Sequence, residues 1–224
     1  MNQFRYEEKF LLSPKQYFLL KERVNKLFSL DSNTVDGAYK VSSIYFDDYQ
    51  MTSVKQKEDG VKERYKYRIR YYQDNRSHLQ LEKKLKDGLT SYKQKLSMNE
   101  EDFNQTMEGN YEFFRQSVDP LAKDFYLQLT SKLLKPVLEV VYEREAYLIP
   151  FNEVRITFDK NLRYRVLTTN STRSITDYVV LEIKYNHFFP HHLKQLFEVD
   201  SPNKLSISKY VLCYYHSKQE EIEL

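Results

Sequence analysis

The chain has 224 residues, of which 35 are Lys or Arg and 32 are Asp or Glu, for a formal net charge of +3. With 20 Tyr and 14 Phe but only 4 Gly and 6 Pro, it is too aromatic and too poor in breakers for a disordered chain or flexible linker. It lacks the broad basic excess of a nucleic-acid binder, so no nucleic-acid partner is expected, and the single Cys213 excludes an intrachain disulfide framework.

The opening MNQFRYEEKF has no apolar stretch of the signal-peptide kind, and no run approaches the roughly 20 apolar residues of a membrane span. A cytoplasmic protein is expected, with no membrane segment of its own and with a membrane partner left open. A strand is predicted over 3–12. In SPKQYFLLKERVNKLFSL, Ser13 caps a helix with Pro14 in its first turn, and Tyr17, Leu20, Val24, Leu27 and Phe28 form its buried face. Strands follow at 39–47, 63–73, 78–86 and 89–97, the last two joined by a turn at Asp87-Gly88. Residues 99–134 read as two helices broken near Asp119-Pro120. Strands return at 136–148, 153–160 and 177–185, short helices follow Pro190 and Pro202, and EEIEL reads as a solvated tail. About eight strands, with no repeat or linker, predict an α+β, mainly β fold. The expected form is a closed antiparallel β-barrel with flanking helices, one domain over residues 1–224.

Side chains alternate between the two faces of a strand. In ERYKYRIRYY (63–72), Arg64, Lys66, Arg68 and Arg70 therefore share one face, while Tyr65, Tyr67, Ile69 and Tyr71 share the other and point away from the cations. Other strands repeat the pattern: Arg5, Glu7 and Lys9; Gln80, Glu82 and Lys84; Arg155, Thr157 and Asp159; Glu182 and Lys184. Tyr142 and Arg144 lie two apart, as do Lys93 and Lys95. On one strand this is how any wet face looks. On six strands of a barrel closed with those faces inward, it makes a cationic tunnel that repels itself when empty. Such a tunnel suits a flexible, multiply charged anion, either linear polyphosphate or a nucleoside triphosphate. Arg offers phosphate a planar two-pronged fork and Lys a point charge. His187, His191 and His192 in HFFPHH read as surface residues at a helix start, and Cys213 as a packed core residue.

With FRYEEKF, SSIYFDD, DGVKERYKYRIRYY, LEKK, SYKQK, VYERE, VRITFD, VLEIKY and SKY in this order, the chain resembles the VTC-type polyphosphate polymerase domain, a branch of the triphosphate tunnel metalloenzyme superfamily. The resemblance runs from Arg5 to Tyr210. It implies transfer of the terminal phosphoryl group of ATP to a growing polyphosphate chain. It implies a charge clamp of Arg68, Arg70, Arg144, Arg155 and Lys84, and substrate binding by Lys9, Lys93, Tyr142, Ser208 and Lys209, to which Lys66 is added from the same cationic face. It also implies a divalent metal, Mn²⁺ or Mg²⁺, at Glu182. Glu7 and Glu82 are expected to orient neighbouring cations. Hydrolytic tunnel enzymes usually begin Glu-x-Glu-x-Lys; here Arg5 replaces the first carboxylate, which favours transfer over hydrolysis. Eukaryotic VTC domains tend to carry a Lys two residues before the Ser-Lys pair, where this chain has Ser206, a loss that weakens the expected grip on a long chain. A metal-dependent triphosphatase and a non-catalytic polyanion-binding module are the two alternatives.

Overall fold

The computed structural model describes residues 5–31, 34, 37–88, 90–149, 153–175, 177–186, 188–197 and 207–222. Nine antiparallel strands form one sheet: β1 (Arg5–Leu12), β2 (Tyr39–Asp47), β3 (Glu63–Tyr72), β4 (Asn75–Asp87), β5 (Thr90–Met98), β6 (Lys135–Ile149), β7 (Val154–Val166), β8 (Thr172–Ile175) and β9 (Val179–Tyr185). Pairing runs β6-β2-β3-β4-β5-β1-β9-β7 and returns to its start through β6–β7, so eight strands make a ring. The first half of β7 pairs with β9 and the second half with β8, which lies outside the ring.

Every predicted strand is present. β7 runs past the expected Lys160 to Val166, through Asn161 at φ +52°, opposite a register shift in β6. The four-residue β8 was not predicted, because it is too short to show a period. Between β3 and β4 the turn is made by Gln73 (φ +51°) and Asp74 (φ +55°), the left-handed pair a two-residue hairpin of matching twist requires. Asp87-Gly88 does begin the β4–β5 turn, with Gly88 at φ +54°.

Helix α1 (Pro14–Leu27) starts at the predicted cap: the Ser13 hydroxyl accepts from the Gln16 amide at 3.3 Å, and the Ser13 amide donates to the Gln16 side chain at 2.9 Å. Its buried face is narrower than predicted. Leu20 and Val24 are buried, but Leu27 is largely exposed because the helix ends there. Helix α2 (Thr52–Glu58) was not foreseen; Asp48 and Asp47 cap it by accepting from the Thr52 and Ser53 amides, each at 3.0 Å. Residues 99–134 hold three helices rather than two: α3 (Glu100–Glu108), α4 (Glu112–Gln116) and α5 (Pro120–Ser131). The additional break is Gly109, at φ +90°, while Asp119 caps α5 as expected. Helix α6 (His191–Phe197) follows Pro190, with His191 exposed; Pro202 and His187 lie outside the described residues. Helix α7 (Lys209–Ile222) has 14 residues and takes in Glu220–Ile222, which the sequence placed in a solvated tail.

Three apolar clusters dress the ring. Outward residues of β2, β3 and β4 (Phe46, Tyr67, Ile69, Leu81) pack on α3, α4 and α5. Leu12, Ile156 and Leu181 pack on α1 and α6, while Tyr210 and Cys213 of α7 join Val41, Leu138 and Val140. Cys213 is core, as expected, and burial pushes its thiol up to about 12. Tyr67 and Tyr71 are buried on the helical side of β3, away from its cations.

Phe125 of α5 is fully buried, its ring 5.2 Å from both Phe46 and Phe114 and 5.1 Å from Tyr67. Replacing it by Ala removes the contact that seats the helical layer on the sheet. Denaturant unfolding of Phe125→Ala should show a loss of about 3–5 kcal/mol; a loss under about 1 kcal/mol would mean that the layer contributes little.

Candidate functional site

The ring encloses a cavity of about 1430 Å³ lined by residues from all eight of its strands, from the first turn of α7 and from the end of α2. Alternation explains its content: β1, β3, β4, β5, β7 and β9 turn charged residues inward, whereas the inward faces of β2 and β6 are largely neutral or apolar and pack in part on α7. Fifteen Lys and Arg side chains line it against four Glu. All twelve residues singled out from sequence lie on its wall: Lys9, Lys66, Arg68, Arg70, Lys84, Lys93, Tyr142, Arg144, Arg155, Glu182, Ser208 and Lys209. Ser206 and the Arg5 side chain lie outside the described part.

Two buried carboxylates organise the deepest cations. Glu82 on β4 is 0% exposed and receives Arg68 Nε of β3 at 2.7 Å, Arg68 Nη2 at 2.6 Å and Lys93 Nζ of β5 at 2.7 Å. Burial alone would raise its pKa; Arg68, Arg70 and Lys93 outweigh that and hold it far below the carboxylate range. On the opposite wall Asp159 of β7 binds Arg144 of β6 with both oxygens, at 2.6 and 2.8 Å, and Lys209 of α7 at 2.5 Å. Orienting cations is thus what Glu82 does.

Neutral hydroxyls hold other donors. Tyr45 accepts from Arg68 at 3.0 Å, Ser43 and Tyr142 from Arg70 at 3.0 and 3.2 Å, and Tyr39 from Arg155 at 3.2 Å. Arg155 also reaches Asp31 at 3.0 Å, while its buried Nε has no hydrogen-bond partner. Tyr39, Ser43 and Tyr45 share the inward face of β2 and were not among the sequence candidates. The alternation of YKVSSIYFD could have found them, but they carry no charge to mark that face.

At a third cluster, Glu7 of β1 receives Lys84 at 2.7 Å and Lys9 at 3.4 Å, and Glu182 of β9 receives Lys184 at 2.8 Å. Glu7 and Glu182 also lie within hydrogen-bonding distance of each other. Burial and this mutual repulsion would raise Glu7, yet Lys84 and Lys9 keep it low; burial of Glu182 is outweighed by Lys184 and Lys9. Two carboxylates that meet in a cavity otherwise lined by phosphate-type donors fit a divalent cation held by one or two protein carboxylates plus substrate oxygens. Among the described residues no group of three His, Cys, Asp or Glu is gathered as a metal site.

A family model described as VTC domain matches residues 4–217. No curated protein matches the chain in sequence. Among solved structures, the PH1819 protein of Pyrococcus horikoshii OT3 is 15% identical with a TM-score of 0.53, over 95% of this chain and 99% of that one. HpAC1 of Hippeastrum, described as a candidate adenylyl cyclase with a dominant triphosphatase activity, is 12% identical with a TM-score of 0.51, over 88% of this chain and 85% of that one. A candidate adenylate cyclase of Bacillus halodurans is 15% identical with a TM-score of 0.51, over 92% of this chain and 96% of that one. At these identities the likeness is one of fold. Among the described residues no helix is long and apolar enough to cross a membrane.

The lysines give the cavity a measurable signature. Burial, with Lys9 and Lys84 adding to it, pulls Lys66 down to about 7; its ammonium donates to the Ser208 hydroxyl at 2.9 Å and lies 5.5 Å from the centre of the Tyr210 ring. Burial pulls Lys93 down to about 6 against the attraction of Glu82, helped by Arg68 and Arg70. A polyanion entering the cavity favours the charged forms and raises both values. Binding then takes up protons, and affinity falls as pH rises from the free values towards the bound ones. Calorimetry of tripolyphosphate binding near pH ~8, in buffers of different ionisation enthalpy, should show proton uptake that shrinks in Lys66→Met. Equal uptake in the two proteins would mean that Lys66 is already charged in the empty cavity.

Proposed function

The chain belongs to the VTC domain family, and from that premise we propose that it is a polyphosphate polymerase, transferring the terminal phosphoryl group of ATP to a growing polyphosphate chain. In this reading the ring is a closed barrel, one domain over residues 1–224, and the cavity is its tunnel. The observation that carries the proposal is the lining itself: fifteen cations against four carboxylates, enclosed by strands on all sides. A multiply charged anion would offset the repulsion that remains in such a lining.

Arg68, Arg70, Arg144 and Arg155, with Lys84, clamp the transferring phosphoryl group and the β-phosphate behind it. Lys9, Lys66, Lys93, Tyr142, Ser208 and Lys209 hold the remaining phosphates. The chain-terminal oxygen is already anionic near neutral pH, so the attack requires no strong general base. The protein's work is to align two polyanions and offset the charge that spreads over the equatorial oxygens. Because Glu82 and Asp159 fix the Arg68 and Arg144 forks before substrate arrives, the clamp needs no rearrangement during transfer. Glu182, with Glu7, would hold a divalent cation, Mn²⁺ or Mg²⁺, which when bound supplies further neutralisation of the phosphate oxygens.

The triphosphatase description of HpAC1 makes hydrolysis the competing reading on this fold. The low carboxylate content of the site supports transfer, since few groups remain to hold a second metal or position water. Purified protein incubated with ATP and Mn²⁺, with and without a short phosphate primer, should give a ladder of lengthening polyphosphate on a gel. Arg68→Ala should lower the rate about 100–1000-fold, as loss of a preorganised oxyanion donor does, and Glu182→Gln should abolish the ladder at ordinary metal concentration. Free phosphate without a ladder would establish a triphosphatase, and binding without turnover a polyanion-binding module.

A further inference from the structure

The clamp leaves one mouth of the cavity unexplained, the one built by the end of α2, the start of β3 and the end of β4. Inward cross-strand partners on β3 and β4 form three layers: Arg68 opposite Glu82, Lys66 opposite Lys84, and Arg64 opposite Lys86. Compensation falls away outward. The deepest layer has Glu82; in the middle one Lys84 has Glu7, while Lys66 has the neutral Ser208 hydroxyl and the Tyr210 ring. In the outermost layer neither Arg64 nor Lys86 has an ion-pair partner among the described residues, and Lys57 of α2, which completes the group, has none either. Arg64 donates only to the Val61 carbonyl, and Glu58 at the rim is engaged by the Tyr215 hydroxyl. The nearest pair at this rim, Lys62 with Asp87 at 3.4 Å, lies between exposed side chains.

Like charges directly opposite on neighbouring strands destabilise a sheet, and all three cations are partly buried. Burial and then Arg64 lower Lys57 in spite of the nearby Glu58 charge, and burial and Arg64 lower Lys86 in spite of Glu7, with Lys9 and Lys57 adding to it. Four residues at about 3.4 Å each place Arg64 about 14 Å along the strand from Arg68, so the group stands well away from a phosphoryl group held at the clamp.

The geometry points to Lys57, Arg64 and Lys86 as an outer subsite for the phosphates of a long chain, one that distinguishes polyphosphate from a lone triphosphate. This rests on the polymerase reading, whose own test is product formation rather than binding. The triple variant Lys57→Gln, Arg64→Gln, Lys86→Gln keeps most of each stem and removes the charge. Calorimetry would compare linear polyphosphate of several tens of units with tripolyphosphate, on wild type and variant at one salt concentration. The long chain should bind about ten-fold more weakly or worse to the variant, as three partly screened ion pairs warrant. Tripolyphosphate should change by less than about two-fold, and the melting temperature of the ligand-free variant should rise as the repulsion is removed. Equal losses for both ligands would assign the three cations to the clamp and overturn the subsite. No loss for either would overturn it too. Wild type that binds both ligands without extending polyphosphate would sink the polymerase reading while leaving this comparison intact.

Discussion

Two carboxylates buried inside the strand ring, Glu82 and Asp159, are the constraint on which the rest depends. Two unit charges about 4 Å apart interact by about 4 kcal/mol at an effective dielectric constant near 20. Arginines and lysines at that spacing would force the inner walls apart. Glu82 ties Arg68 and Lys93 together across three adjacent strands, β3, β4 and β5. Asp159 ties Arg144 on β6 to Lys209 on α7. Breaking a buried pair of this kind costs about 3–5 kcal/mol, because the remaining charge is stranded. The same contacts therefore close the wall, dock α7 and aim the guanidinium groups. Fold and site are not separable here.

The cations divide by how they meet an empty cavity. The carboxylates keep Arg68 and Arg144 charged and oriented, so their forks are present before substrate is. Lys66, Lys84 and Lys93 hold their charge less firmly, burial drawing them down to about 7, 8 and 6 respectively. An ammonium can release a proton and a guanidinium in practice cannot. The arrangement assigns geometry to arginine and adjustable charge to lysine, and it eases the repulsion in the empty cavity without disordering the guanidinium groups.

Much of this was legible in the sequence because a strand's period is two. Once ERYKYRIRYY is read as a strand, Arg68 and Arg70 must share a face, and Tyr67 must lie beneath a helix on the other. The charged residues of β1, β4, β7 and β9 followed in the same way. The inward face of β2 did not, since Tyr39, Ser43 and Tyr45 look apolar or neutral and only three dimensions show that arginines from β3 and β7 donate to them. Helix α2 shows no helical stripe because six of its seven residues, TSVKQKE, are polar, and Lys57 lies on it. Leu27 was misplaced in the core because periodicity does not say where a helix stops. Asp159 was visible on its face, but its partner Lys209 is 50 positions away in sequence, and that pairing is decided by how α7 docks.

The outward fall in carboxylate compensation bears on how a polymer could be both held and moved. A chain extended one unit at a time must be gripped rigidly where the bond forms and loosely elsewhere, or each product would remain bound in place. Arg68 and Arg144, fixed by Glu82 and Asp159, can supply the rigid grip through paired, directional hydrogen bonds. Lys66, Lys86 and Lys57 lie further out and are point charges on flexible stems, without a fork to enforce one register. A phosphate can pass from one such charge to the next at small cost, as ions do along a row of similar binding sites that are strong enough to enter and weak enough to leave. On the proposed reading, it is therefore functional that Lys57, Arg64 and Lys86 form no ion pair among the described residues. An acid placed beside Arg64 or Lys86 would stabilise the empty fold, but it would also compete with the chain at the point where the chain has to slide.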